Sequence, residues 1–586
     1  MCRKRICHVQ EQHHHVDEQI DLINTMNHDS LAQIFMLLPV HERIAMEKVC
    51  PKWKEACELA WYDIKKYTFG ESAGRVFDKN LLAPSYIEKL LSNFGIYLRD
   101  LSLSEKCSSS IMPIIGERCK NLTRLDLIYN ELLEINIDHY IHAFKNLNKL
   151  TTIEIRVMNM GSCKNLKFQP HIINYLPEEM IKIILDYDRE EFMSPKLFDI
   201  KKFKKLQYLS LSGCFLDDII QGISETTTQL VELSLINCFV SKNCLYNPDD
   251  IFNQFVNLEY ININNEWGIK TPNVLNNILN SSKNIIHCNI MLRPDSNAPD
   301  ISIKNWNNLL NLKHLGTRWR INDNIAIKLI KYCKNLTSLD IWSDGIIETD
   351  LKKLTELKNL EYLNYCFADG VRNESINTIV TISNWKKLKH LILLNDKDDD
   401  VIDDNIIGSV PSAVIFDELS KLQYLEELYV LNMREFQDSS IIAIANSCKN
   451  LQKLDMTECV NITEAALMSI ISLEKLEEIG ISHMDGVTDN FIGKLKGLKK
   501  VGCEYCKNIT DAGVIECIKN CPNLDTLRLY GCNITIETFT GADEITKNRI
   551  NNIALCISYE KFAEASTLKI ESNWLFMCPE VRENIK

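Results

Sequence analysis

Glycine and proline are scarce in this chain. Twenty glycines and fourteen prolines in 586 residues fall below their usual shares of about 7% and about 5%. That excludes collagen-like and low-complexity chains and points to short, standardised connections. Long hydrophobic runs are also missing. No stretch reaches the ~18 uninterrupted apolar residues of a membrane span, and the basic start Arg3-Lys4-Arg5 runs into a polar segment ending in His13, His14 and His15, not into an apolar signal core. The expectation is a cytoplasmic and/or nuclear protein with no membrane partner. Nor is there an excess of positive charge: 66 Lys and Arg stand against 79 Asp and Glu, a formal net charge of −13. Nucleic acid, which is bound through its phosphates, is therefore not an expected partner. A prior of about 150 residues per domain would give four domains, but the periodicity of the chain gives a different answer.

What the sequence has in quantity is a repeat. Leu122, Leu125 and Leu127 stand in the order L-x-x-L-x-L, and so do the sets beginning at Leu206, Leu230, Leu336, Leu451 and Leu524. With weaker copies included, the middle apolar residue falls at 101, 125, 153, 183, 209, 233, 261, 288, 315, 339, 363, 391, 428, 454, 479, 501 and 527. These 17 units have a mean step of about 26.6 residues, within the range of leucine-rich repeats. Period-two alternation makes each x-L-x-L-x a short strand. After the strand comes a helical face, as in Ile441, Ile444, Ala445 and Cys448, or Val514, Cys517, Ile518 and Cys521. Neither element covers itself, so the two must pack. The predicted fold is α/β, a right-handed horseshoe-like solenoid over residues 95–586 with strands on its concave side.

The 22 cysteines follow the same phase. Cys119, Cys333, Cys448 and Cys521 precede a middle residue by six, while Cys214, Cys238, Cys459, Cys506 and Cys532 follow one by five. Residues confined to two phases of a stacking unit fill small apolar slots. Cys503 and Cys506, the sharpest metal or redox candidate, divide into a strand position and a turn position, and no second CxxC accompanies them. The histidines at 13–15 are read as a solvated tail. No metal and no cofactor are expected. Thr463, Thr488 and Thr510 stand before helices as candidate N-caps. The C-terminal units resemble the cysteine-containing subclass of leucine-rich repeats.

Residues 20–68 lie outside the ladder, after a tail at 1–19 and before a linker at 69–94. Ser30 opens a capping box, and Leu31, Ile34, Phe35 and Leu38 share one helical face that Pro39 ends. A short helix follows at 41–49. Pro51 then opens a third, with Trp53, Ala56, Cys57 and Ala60 in phase. Three short helices bury too little surface to stand alone, which leaves apolar area for a partner. The order resembles an F-box: Ile34-Phe35, Leu38-Pro39, and Val49-Cys50 followed by Trp53, with Met26-Asn27 where the family opens with Leu-Pro.

That resemblance, placed ahead of the repeats, implies a substrate receptor of Skp–cullin–F-box ubiquitin ligases. It would have no bond chemistry of its own and would act by proximity. The adaptor-binding residues would be Leu31, Ile34, Phe35, Leu38, Pro39, Val49 and Trp53. Its partners would be a Skp adaptor, through it a cullin-RING assembly, and a protein substrate. Strand alternation predicts substrate contacts on the concave face at Arg318, Trp342, Tyr429, Arg528 and Tyr530, residue types enriched at binding hot spots. The acidic insert 396–404 reads as a solvated loop or as a lid for a basic segment. The competing reading is a scaffold or inhibitor whose N-terminal helices only cap the solenoid.

Overall fold

The computed structural model describes residues 26–69, 84–104, 107–130, 136–158, 170–187, 200–214, 229–238, 252–265, 273–292, 301–368, 375–396, 413–551, 553–560 and 568–580. The histidines at 13–15, residues 397–404 of the acidic insert and most of the 69–94 linker lie outside them. The chain divides into two compact units, the first reaching Ile183 and the second beginning at Ile184.

In the first unit three helices come first: α1 (His28–Met36), α2 (Val40–Met46) and α3 (Pro51–Ala60). The N-cap of α1 is Asn27, not Ser30. The Asn27 side chain accepts the Ser30 N–H at 2.8 Å, so the residue that replaces the family's proline starts the helix by capping it. Leu31, Ala32 and Phe35 pack against Ala56, Cys57 and Ala60 as the module's core. Two strands, β1 (Lys66–Phe69) and β2 (Asp100–Leu103), pair in parallel, Tyr67 opposite Leu101. The sheet therefore begins ahead of residue 95. Between these strands runs α4 (Pro84–Phe94).

In the first unit Leu101 pairs with Leu125 and Leu125 with Ile153. In the second, Leu209 begins a ladder through Leu233, Ile261, Cys288, Leu315, Leu339, Leu363, Leu391, Leu428, Leu454, Ile479, Val501 and Leu527 to Ile557 and Met577. Each unit is thus a leucine-rich-repeat stack of parallel strands, and every middle residue named from the sequence lies in a strand. Three further strands, centred on Tyr67, Ile557 and Met577, lack the leading leucine and so escape the pattern.

One turn recurs. Gly213, Asn237, Asn432, Glu458, His483, Tyr505 and Gly531 all have positive φ, and each stands four residues after a middle residue. In the first six its N–H bonds a carbonyl of the next repeat, as from Glu458 to Ser482 at 3.0 Å and from His483 to Glu504 at 2.8 Å. At four of these turns the cysteine that follows, Cys238, Cys459, Cys506 or Cys532, turns its thiol onto a carbonyl of the repeat before, as Cys459 to Val430 and Cys506 to Ile481, both at 3.1 Å. Burial pushes both thiols up to about 12. Cys503 donates to the Arg528 carbonyl at 3.5 Å. Among the described residues no group of three or more His, Cys, Asp and Glu is gathered as a metal site. The Sγ atoms of Cys556 and Cys578, on the last two strands, lie 2.7 Å apart.

Helix starts are linked in the C-terminal repeats. Thr463 donates from both N–H and Oγ1 to Asp438, Thr510 to Asp489, and Thr535 to Asp511. Thr463 and Thr488 also cap their own helices, whereas Thr510 makes no side-chain cap.

Candidate functional sites on the helical module and the strand face

The helical module is closed from within by a charge. Arg43 is 3% exposed. Its Nε donates to the Leu38 carbonyl, Nη1 to the Ala60 carbonyl and Asp63, and Nη2 to the Met36 carbonyl and Asp63, at 2.6–2.9 Å. One guanidinium thus ties the ends of α1 and α3 to α2, using all five of its donors. Trp61 lies under it at 5.7 Å and donates Nε1 to Glu47.

With the polar interior satisfied, apolar groups remain outside. Ile34 is 44% exposed, Leu37 85% and Val49 56%, and Pro39 is exposed. The expected adaptor set therefore splits. Leu31 and Phe35 are core residues and cannot present a surface. Leu38 and Trp53 are half-buried against that core, with the Phe35 and Trp53 rings 5.3 Å apart. Ile34, Pro39 and Val49 face outward. Leu37 was missed because it lies off the periodic stripe; only its exposure marks it.

On the strand face of the second unit, Trp342 and Tyr429 are part-exposed and Arg528 is exposed. Arg318 and Tyr530 are not: they are 4% and 7% exposed, which corrects the expectation for both. The strand His314–Thr317 ends before Arg318, and Thr526–Arg528 ends before Tyr530. Alternation sets side-chain direction only while the strand lasts. Tyr530 packs edge-on to Tyr505, which stacks on His483. Arg318 lies over the Trp342 ring at 3.4 Å and 3.5 Å from Asp344.

Beside Arg318 the strand face is polar and half-closed. Asn289, Gly316, Asp340 and Asn364 stand opposite one another on four neighbouring strands. Burial pushes the Asp340 carboxyl up to about 7 against the opposing bond from Asn364. One residue row away, Tyr260, His287 and His314 stack at 4.1 and 4.0 Å. Burial holds the two imidazoles down at about 4 and about 3, so both are neutral at physiological pH.

With this geometry in hand, the model of the F-box domain matches residues 23–63, the segment that holds α1, α2, α3 and Arg43. The chain carries an F-box domain ahead of leucine-rich repeats. It is 26% identical over 288 residues to the antagonist of mitotic exit network protein 1 of Candida glabrata, covering 44% of this chain and 53% of that one. To F-box/LRR-repeat protein 12 of Mus musculus it is 27% identical, covering 36% and 63%. To F-box/LRR-repeat protein 4 of Bos taurus it is 31% identical over 127 residues, covering 22% and 17%. The F-box chain thus spans between 17% and 63% of these curated relatives' lengths. Among its described residues no helix is long and apolar enough to cross a membrane.

Proposed function

We propose that this F-box chain is the substrate-recognition subunit of a Skp–cullin–F-box ubiquitin ligase. The F-box engages the Skp adaptor through Ile34, Leu37, Pro39 and Val49. The outward strand face of the repeats, with Trp342, Tyr429 and Arg528, holds the target protein. The observation that carries this reading is the F-box itself, whose polar interior is closed by Arg43 while Leu37 is left 85% exposed. Leu37 is joined on the same small module by exposed Ile34, Pro39 and Val49, and grouped exposed apolar residues mark interaction surfaces. The receptor raises the local concentration of substrate lysines near a charged conjugating enzyme, and bond chemistry belongs to other subunits.

The test is co-purification with a Skp adaptor. Wild type captures it, and Leu37→Asp reduces capture at least tenfold, by ~1.4 kcal/mol or more, without lowering the melting temperature. A wild-type chain that captures no Skp adaptor, or a Leu37→Asp variant that captures it equally well, defeats the assignment.

A further inference from the structure

Buried polar groups in folded proteins nearly always have partners, and several of the exceptions among the described residues of the second unit lie on neighbouring repeats. Arg318, 4% exposed, makes no hydrogen bond from Nε or Nη2, and Asp344 approaches Nη2 only to 3.5 Å. Asn289 Oδ1, Asp340 Oδ1 and Asn364 Oδ1 are likewise buried and unbonded, and they lie on strands near the one that ends just before Arg318. Gly316 separates Asn289 from Asp340 in register, and a Cβ there would meet Asn289 Oδ1 at 2.0 Å. The Asn289 side chain takes the space that a Cβ at 316 would fill.

We propose that Arg318 and the acceptor row of Asn289, Asp340 and Asn364 form an anchor for an extended peptide carrying a carboxylate. Nε and Nη2 lie on one edge of the guanidinium and match the two oxygens of a carboxylate. Trp342 backs the guanidinium and fixes its plane. Arg318 follows Gly316 of that row by two residues, just past the end of its strand. The oxygens of Asn289, Asp340 and Asn364 then receive that peptide's N–H groups. A carboxylate fits better than a phosphoryl group, because Asp344 already places an acidic group 3.5 Å from the guanidinium. The inference rests on reading the repeats as the substrate receptor and specifies what they grip.

Immobilised full-length protein is offered four pools of hexapeptides with randomised flanks: central Glu, central Gln and central phosphoserine, all amidated, and central Gln with a free C-terminal carboxylate. The Glu pool or the free-carboxylate pool is retained at least tenfold over amidated Gln, and which of the two wins identifies the source of the carboxylate. A folded Arg318→Met variant loses the preference. Equal retention of all pools, stronger retention of phosphoserine, or an undiminished preference in Arg318→Met overturns the proposal. The comparison of pools on wild type decides the matter even where the variant fails to fold. Peptide capture needs no adaptor, so its failure with adaptor binding intact removes this site alone, and the reverse result removes the ligase reading alone.

Discussion

Arg43 shows what a single side chain does in a small module. Its five donors are spent on three carbonyl groups and Asp63, so its removal leaves buried carbonyls unpaired. Arg43→Met is expected to destabilise the F-box by about 3–5 kcal/mol, as in other buried ion pairs broken on one side, read from a urea titration. Asp340 works in the opposite direction. Its carboxyl, raised by burial to about 7, binds a proton more tightly folded than unfolded. Its favourable contribution is complete below the unfolded value of about 4 and is lost as pH rises to 7. Tyr362 and Cys366 on the next strand are themselves pushed up, by burial and by this carboxylate. Asp340→Asn should therefore stabilise the chain at pH 8 by roughly 1–3 kcal/mol and leave it unchanged near pH 4. Denaturant titrations at the two pH values check this, and an equal effect at both would place the charge elsewhere.

At the scale of the element, strands were legible and turns were not. Leucine alternation marked the middle residue of each unit because burial on one face is what a short strand needs. The strands at Lys66–Phe69, Leu555–Glu560 and Leu575–Glu580 carry alternation without the leading leucine and could not be told from chance. Arg318 and Tyr530 were misplaced because each lies just past the end of its strand, where the backbone has begun to turn. The left-handed turn residue is the clearest omission: Glu458, His483 and Tyr505 occupy a conformation that favours glycine, and only Gly213 and Gly531 advertise it. A left-handed non-glycine residue costs about 1–2 kcal/mol. Glu458→Gly, which keeps its N–H to the Ser482 carbonyl, should recover about 1 kcal/mol of that in a thermal melt. Gly531→Ala should destabilise, since its Cβ would lie 2.6 Å from the Tyr505 ring in addition to the backbone strain.

At the scale of the molecule, the F-box is joined to repeats within the first unit by more than a chain connection. Trp61, 1% exposed, packs on Phe94 of α4 at 5.6 Å. Glu47 on the F-box side accepts from Trp61 and from Asn93 and pairs with Lys89. Just after the F-box, β1 adds itself to the repeat sheet through β2. The segment 26–63 alone would expose Trp61 and leave Glu47 without Asn93 and Lys89, in a chain shorter than the roughly 40 residues below which a core seldom suffices. It should show no cooperative thermal transition by circular dichroism at 222 nm, whereas a fragment extended to residue 130, which restores α4, β2 and the following strand, should. A sigmoidal melt of 26–63 with an unchanged midpoint would mean that the F-box folds independently of the repeats. The expected result instead makes F-box and first repeats one cooperative body, so that destabilising variants at Trp61, Glu47 or Phe94 should weaken adaptor capture without touching Ile34, Leu37 or Val49.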